Sequence, residues 1–138
     1  MYKHLLWVFL LTVLIADCTP YIKHTPGNIS DLQRVDLHQG ENTLPSGRKI
    51  VVNNVSRTDF DSGEPSALVL NYTTSVSIDN MAELRAEVDE VWPLFVKNVE
   101  AANLTTAALR PVNGPKGYGF VVLQTDDGKW HFLDDEKK

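Results

Sequence analysis

The sequence predicts a two-layer α+β sandwich: one long helix on a mixed sheet, in the order ββαβββ. Three observations carry this. Between residues 80 and 103, apolar residues recur at three- and four-residue steps, the stripe of an amphipathic helix. Runs rich in β-branched residues stand before and after that stretch, so the two strands it joins run parallel. The later runs are separated by only a few turn-forming residues, which makes antiparallel hairpins. One helix on one face of such a sheet is a two-layer arrangement.

The elements follow in order. "RKIVVNNVSRTDF" carries Ile50, Val51, Val52 and Val55 and reads as a strand. "DFDSGEPS" is a loop by its Asp, Ser, Gly and Pro content. In "ALVLNYTTSVS", Leu68, Leu70 and Tyr72 alternate with Val69 and Asn71, and apolar residues on both faces suit a central strand. The helix stripe comprises Leu84, Val88, Val91, Trp92, Phe95, Val99 and Ala102. Leu84, Val88, Trp92, Phe95 and Val99 are expected to fill the core. Asn80 and Glu83 have capping-box spacing. Pro93 removes one helix hydrogen bond, and a kink is expected there. "TTAALRPV" is the next strand, "NGPKG" a turn and "YGFVVLQTD" a strand. Asp127-Gly128 is a hairpin signal before the closing strand "KWHFLD".

The 138 residues fit one domain, preceded by two segments. Residues 1–17 read as a signal peptide. Lys3 and His4 open it, and residues 5–16, "LLWVFLLTVLIA", form an apolar run. A membrane span needs ~20 residues, and the shorter run matches a signal core. Residues 18–47 are punctuated by Pro20, Pro26, Gly27, Gly40, Pro45 and Gly47 and read as a flexible tether. Residues 48–138 are the α+β domain.

Cys18 is the sole cysteine, so an internal disulfide and a cysteine-rich zinc site are excluded. It stands just past the apolar run, after Asp17. Ile15, Ala16, Asp17 and Cys18 resemble the lipobox of bacterial envelope lipoproteins, with Asp17 standing where that family carries Gly, Ala or Ser. The resemblance covers only the first eighteen residues. It implies a thioether-linked diacylglyceryl group and an N-acyl chain (palmitate) on Cys18, and a membrane anchored by several tails. With Thr19 after the cysteine, it implies the outer membrane as destination. The competing reading is ordinary cleavage before Thr19, with Ala16 and Cys18 as the small residues of the site. The product would then be periplasmic or secreted.

Motifs for chemistry are sparse. A formal net charge of -5 argues against nucleic acid as a partner. Asp59, Asp61 and Glu64 do not keep the order of a calcium loop and read as a solvated loop. His4, His24, His38 and His131 have no metal-ligand spacing, so no metal site is expected. "GPKGYGF" opens onto a strand rather than a helix and forms no phosphate cradle. No nucleophile elbow, Walker or dinucleotide motif occurs, so neither catalytic residues nor a cofactor are assigned. Trp92, Phe95, Tyr118, Phe120, Trp130 and Phe132 are mostly core by spacing. Aromatic strand residues turned away from the helix are the candidates for an exposed binding face. N-x-[ST] sequons stand at Asn28, Asn54, Asn71 and Asn103. In a eukaryotic secreted protein Asn28, Asn54 and Asn103 would be glycan acceptors, whereas Asn71 lies in a central strand.

These features favour an exported, lipid-anchored envelope protein with a non-catalytic role. It would bind a protein or associate with itself through the sheet face, as an immunity or inhibitor protein does. A small periplasmic enzyme or ligand-binding protein, and a eukaryotic secreted glycoprotein, are the alternatives.

Overall fold

The computed structural model describes residues 22–26 and 37–137. The segment read as a signal peptide, residues 1–17, and also Cys18 and Asn28 lie outside them. The elements are β1 (Ile22–Pro26), β2 (Gly40–Thr43), β3 (Lys49–Phe60), β4 (Ala67–Thr73), α1 (Met81–Ala101), β5 (Thr106–Asn113), β6 (Lys116–Gly117), β7 (Phe120–Gln124) and β8 (Trp130–Phe132). A 3₁₀ turn, Leu133–Lys137, follows. The strands form one sheet in the order β1-β3-β4-β5-β7-β8, with β2 also paired to β3 and β6 to β5. β4 and β5 are parallel and α1 is the crossover between them; every other pair is antiparallel. The protein is thus an α+β sandwich with the order ββαβββ as its main frame.

The frame is extended at its start. β1 pairs with the second half of β3, and β2 with the first half. Leu37 and Leu44, which flank β2, are buried in the core. Packed structure therefore begins before residue 48. Asn42 explains how so polar a stretch is held. Its side chain is buried, takes a hydrogen bond from the His38 amide, and donates to the carbonyls of His38 and Gly40. A single asparagine satisfies the local backbone in place of a long ladder.

Register places one row of side chains beneath α1. Cross-strand partners Val52 and Tyr72, Val55 and Leu70, and Leu109 and Phe120 share this face. Leu84, Val88, Val91, Phe95 and Val99 of α1 close on them and are fully buried. Each such side chain contributes roughly 1.5–3 kcal/mol through removal from water. Trp92 departs from expectation. It is only partly buried and packs against the core from its rim, while Val91 occupies the centre. Trp92 meets Trp130, Phe132 and Phe95 edge-on.

The helix runs through Pro93 as one element. At its start the Asn80 side chain accepts from the Glu83 amide and donates to the Glu83 carboxylate. At its end the amides of Asn103 and Leu104 reach back to the carbonyls of Glu100 and Val99. This is a Schellman closure, with Asn103 in the left-handed region at φ 57°. The hairpin between β7 and β8 turns at Gly128, whose φ of 82° supplies the conformation the turn needs.

Candidate functional site

Two features outside the apolar core carry chemistry. The first is a polar cluster where β4 ends and α1 begins, at the carboxyl end of the parallel strand pair. Tyr72 comes from the end of β4 and Thr74 from the residue after it, Glu83 and Glu87 from α1, and Arg48 from the residue before β3. Glu87 lies one helical turn from Glu83, and its side chain is 0% exposed. Thr74 donates its hydroxyl hydrogen to Glu87 Oε2 at 2.9 Å, while its Oγ1 accepts from the Val76 amide at 2.9 Å. Arg48 stands 3.6 Å from Glu87 Oε2 and 3.0 Å from Glu83 Oε1. Beside it the Ser46 amide donates to Glu90, so the β2–β3 turn grips the helix at two points.

Burial governs the electrostatics of the cluster. Desolvation raises the Glu87 carboxyl above the usual glutamate range; the Thr74 hydrogen bond and the Arg48 charge oppose it. Tyr72 is also fully buried. Desolvation, with the adjacent Glu87 charge, pushes its phenol far above the ordinary tyrosine value. The phenol lies against the carboxylate, a contact that adds to the rise of the phenol and opposes the rise of the carboxyl. Both side chains are closed to solvent, whereas a reacting group must meet its substrate. The arrangement suits a polar tie between three elements. The sequence reading missed it because Glu87 falls inside an acidic run that looks solvated; its place between Leu84 and Val88 on the buried face was the available signal.

The second feature is the sheet face opposite α1. Register puts Ser56, Val69, Ala108 and Val121 in one row across β3, β4, β5 and β7. Thr106, Leu123 and His131 form part of the next row. Val69, Ala108, Val121, Leu123 and His131 are all half-exposed. Asn54, Asn71 and Arg110 form a polar row beside them, in which Asn71 donates to Asn54 Oδ1 at 2.7 Å. The face is therefore made of small aliphatic residues with a polar border. The aromatics are mostly core, as their spacing suggests: Phe120, Trp130 and Phe132 share the helix side, where Trp130 and Phe132 meet Trp92, and Tyr118 lies in the loop before β7, so none of these strand aromatics is turned to the open face. Strand parity decides this, since Phe120 pairs with the buried Leu109.

The other singled-out residues are dispersed. Asp59 accepts from Arg57 and Ser66, while Asp61 and Glu64 are exposed in the following loop. His24 lies in β1, at the register position opposite Thr58, and His38 at the turn before β2. Among the described residues no three His, Cys, Asp or Glu side chains converge as a metal site would require. Asn54 and Asn103 are exposed and Asn71 is half-buried. Among the described residues no helix is long and apolar enough to cross a membrane. Comparison with protein-family models, with curated proteins and with solved structures finds no match to this chain.

Proposed function

We propose that the protein is exported, held at a membrane by lipid on Cys18, and acts without catalysis by binding a protein surface on the sheet face opposite α1. An immunity or inhibitor protein is one form this takes. The observation that carries the binding role is the half-exposed row Val69, Ala108 and Val121 with its border of Asn54, Asn71 and Arg110. A small-residue apolar strip rimmed by hydrogen-bonding groups matches the anatomy of a protein interface. The anchoring role is supported by the place of the only cysteine, one residue beyond an apolar run of signal-peptide length.

Charge on the face tests the binding role. Val121→Arg and Ala108→Arg alter half-exposed positions and leave the core untouched. Association with a partner, or with a second copy, is expected to fall at least tenfold in these variants while thermal unfolding stays near wild type. Ala86→Arg on the exposed side of α1 is expected to leave association unchanged. Equal losses from both faces would contradict the assignment. The exposed sequons at Asn54 and Asn103 support a second reading, a secreted glycoprotein, for which the mature protein would carry hexose mass.

A further inference from the structure

The two layers of the sandwich differ in charge. Across β4, β5 and β7 the only charged residue on the open face is Arg110. At the β2–β3 corner Lys49 and Glu41 close on each other at 2.7 Å. The helix layer is acidic. In α1, Glu83, Glu87, Asp89, Glu90 and Glu100 stand against Arg85 and Lys97, in a chain of net charge -5. Two copies of this chain therefore repel through their helices and meet with least repulsion through their sheets. Stacked sheets lie about 10 Å apart, so in that arrangement the helix layers stand beyond the ~8 Å Debye length of physiological salt.

Register also matches the face to itself. β4 and β5 are the middle pair of the strand order, with Val69 beside Ala108 and Asn71 beside Arg110. A two-fold axis along the strands, between β4 and β5, sets the branched Val69 of one copy over the small Ala108 of the other. It sets Arg110 over Asn71. These positions lie near the axis, where the ~30° twist between stacked sheets displaces partners least. Asn71 donates its amide hydrogen to Asn54, which leaves its Oδ1 to accept. Among the described residues Arg110 has no ion-pair partner. We infer that the open face binds a second copy of this chain, sheet to sheet in a symmetric dimer, with Arg110 of each copy donating to Asn71 Oδ1 of the other. The inference rests on the reading of that face as a binding surface and names its occupant. The four strands β3, β4, β5 and β7 cover roughly 450 Å² per copy. A pair then buries roughly 1,000 Å², the lower end for a specific interface, so the dimer is weak.

Sedimentation velocity of the purified full chain, from about 1 μM to about 0.3 mM, brackets an interface of this size. The wild type is expected to pass from monomer to dimer across that range. Arg110→Glu removes the donor, and Asn71→Arg sets two cations together; each is expected to weaken the dimer at least tenfold. Neither residue is buried, so thermal unfolding stays near wild type. An equimolar mixture of the two variants is expected to regain a dimer, because the new carboxylate of one copy faces the new guanidinium of the other. A wild type that stays monomeric throughout would overturn the inference, as would a dimer indifferent to both variants. If a monomeric wild type still cross-links from Val121 to a different protein, the binding face stands and only the second copy falls. If a dimer is weakened by Ala86→Arg instead, the face falls as well.

Discussion

Thr74 donates its hydroxyl to Glu87 Oε2 at 2.9 Å, and so ties the end of β4 to the middle of the helix that follows it. The same oxygen of Thr74 accepts the Val76 amide, which fixes the first turn of the crossover. Thr74→Val keeps the shape and removes both bonds. It should cost about 1–3 kcal/mol, because it strands a buried carboxylate oxygen and a buried amide. Urea denaturation measures this; a cost near zero would mean that the tie is not made.

Glu87 makes stability depend on pH in a direction opposite to most carboxylates. Its folded-state pKa is raised above the ordinary value of 4.5 by burial. The native state therefore holds the proton more tightly than the unfolded chain. The contribution is fully present below about 4.5 and is lost as pH rises through the higher folded value. Glu87→Gln cannot titrate. The wild type should lose stability relative to this variant as pH rises from 4.5 towards neutrality, read as the difference between their urea midpoints. Parallel curves over that window would refute the assignment.

Phe95 and Trp92 separate the centre of the core from its rim. Phe95 is fully buried, and Phe95→Ala should cost about 3–5 kcal/mol. Trp92 keeps part of its surface in water, so Trp92→Ala should cost clearly less despite the larger ring. The order of the two denaturation midpoints checks it.

Arg85 fastens the C-terminal turn to the helix. It holds both oxygens of Asp135 at 3.0 Å, bonds Asp89 at 2.9 Å, and stacks 3.9 Å above the Phe132 ring. Lysine keeps the charge but lacks the planar fork. Arg85→Lys should leave global stability within about 1 kcal/mol, since these are surface contacts. It should speed amide exchange across the turn Leu133–Lys137. Exchange unchanged from wild type would show that the fork does not hold the turn.

Much of the fold was legible because periodicity is a local signal. The stripe from Leu84 to Val99 set the helix and its inner face, and the span between β4 and β5 set their parallel pairing. The lead-in was harder. β2 has the sequence Gly-Glu-Asn-Thr, without a strand pattern, and it is held by Asn42 and by pairing to β3. Those are long-range causes that composition does not reveal. The polar cluster was hidden for the same reason, as Arg48, the Tyr72–Thr74 stretch and Glu87 come from three separate segments. Alternation along β8 set His131 apart from Trp130 and Phe132, but which residues line the open face depends on register with β7.

Cys18 remains the hinge of the localisation proposal. The intact mass of the mature chain should show three acyl chains on an N-terminal Cys18, and Cys18→Ala should release the protein from membranes. A chain that starts at Thr19 would remove the anchor.

The most direct test of the account places a photo-cross-linking residue at Val121 on the open face or at Lys97 on the exposed side of α1, in cells making the protein. The account predicts a discrete cross-linked product, to a protein partner or a second copy, from Val121 and none from Lys97. The same product from both positions, or a product from Lys97 alone, would contradict the sheet face as the binding surface.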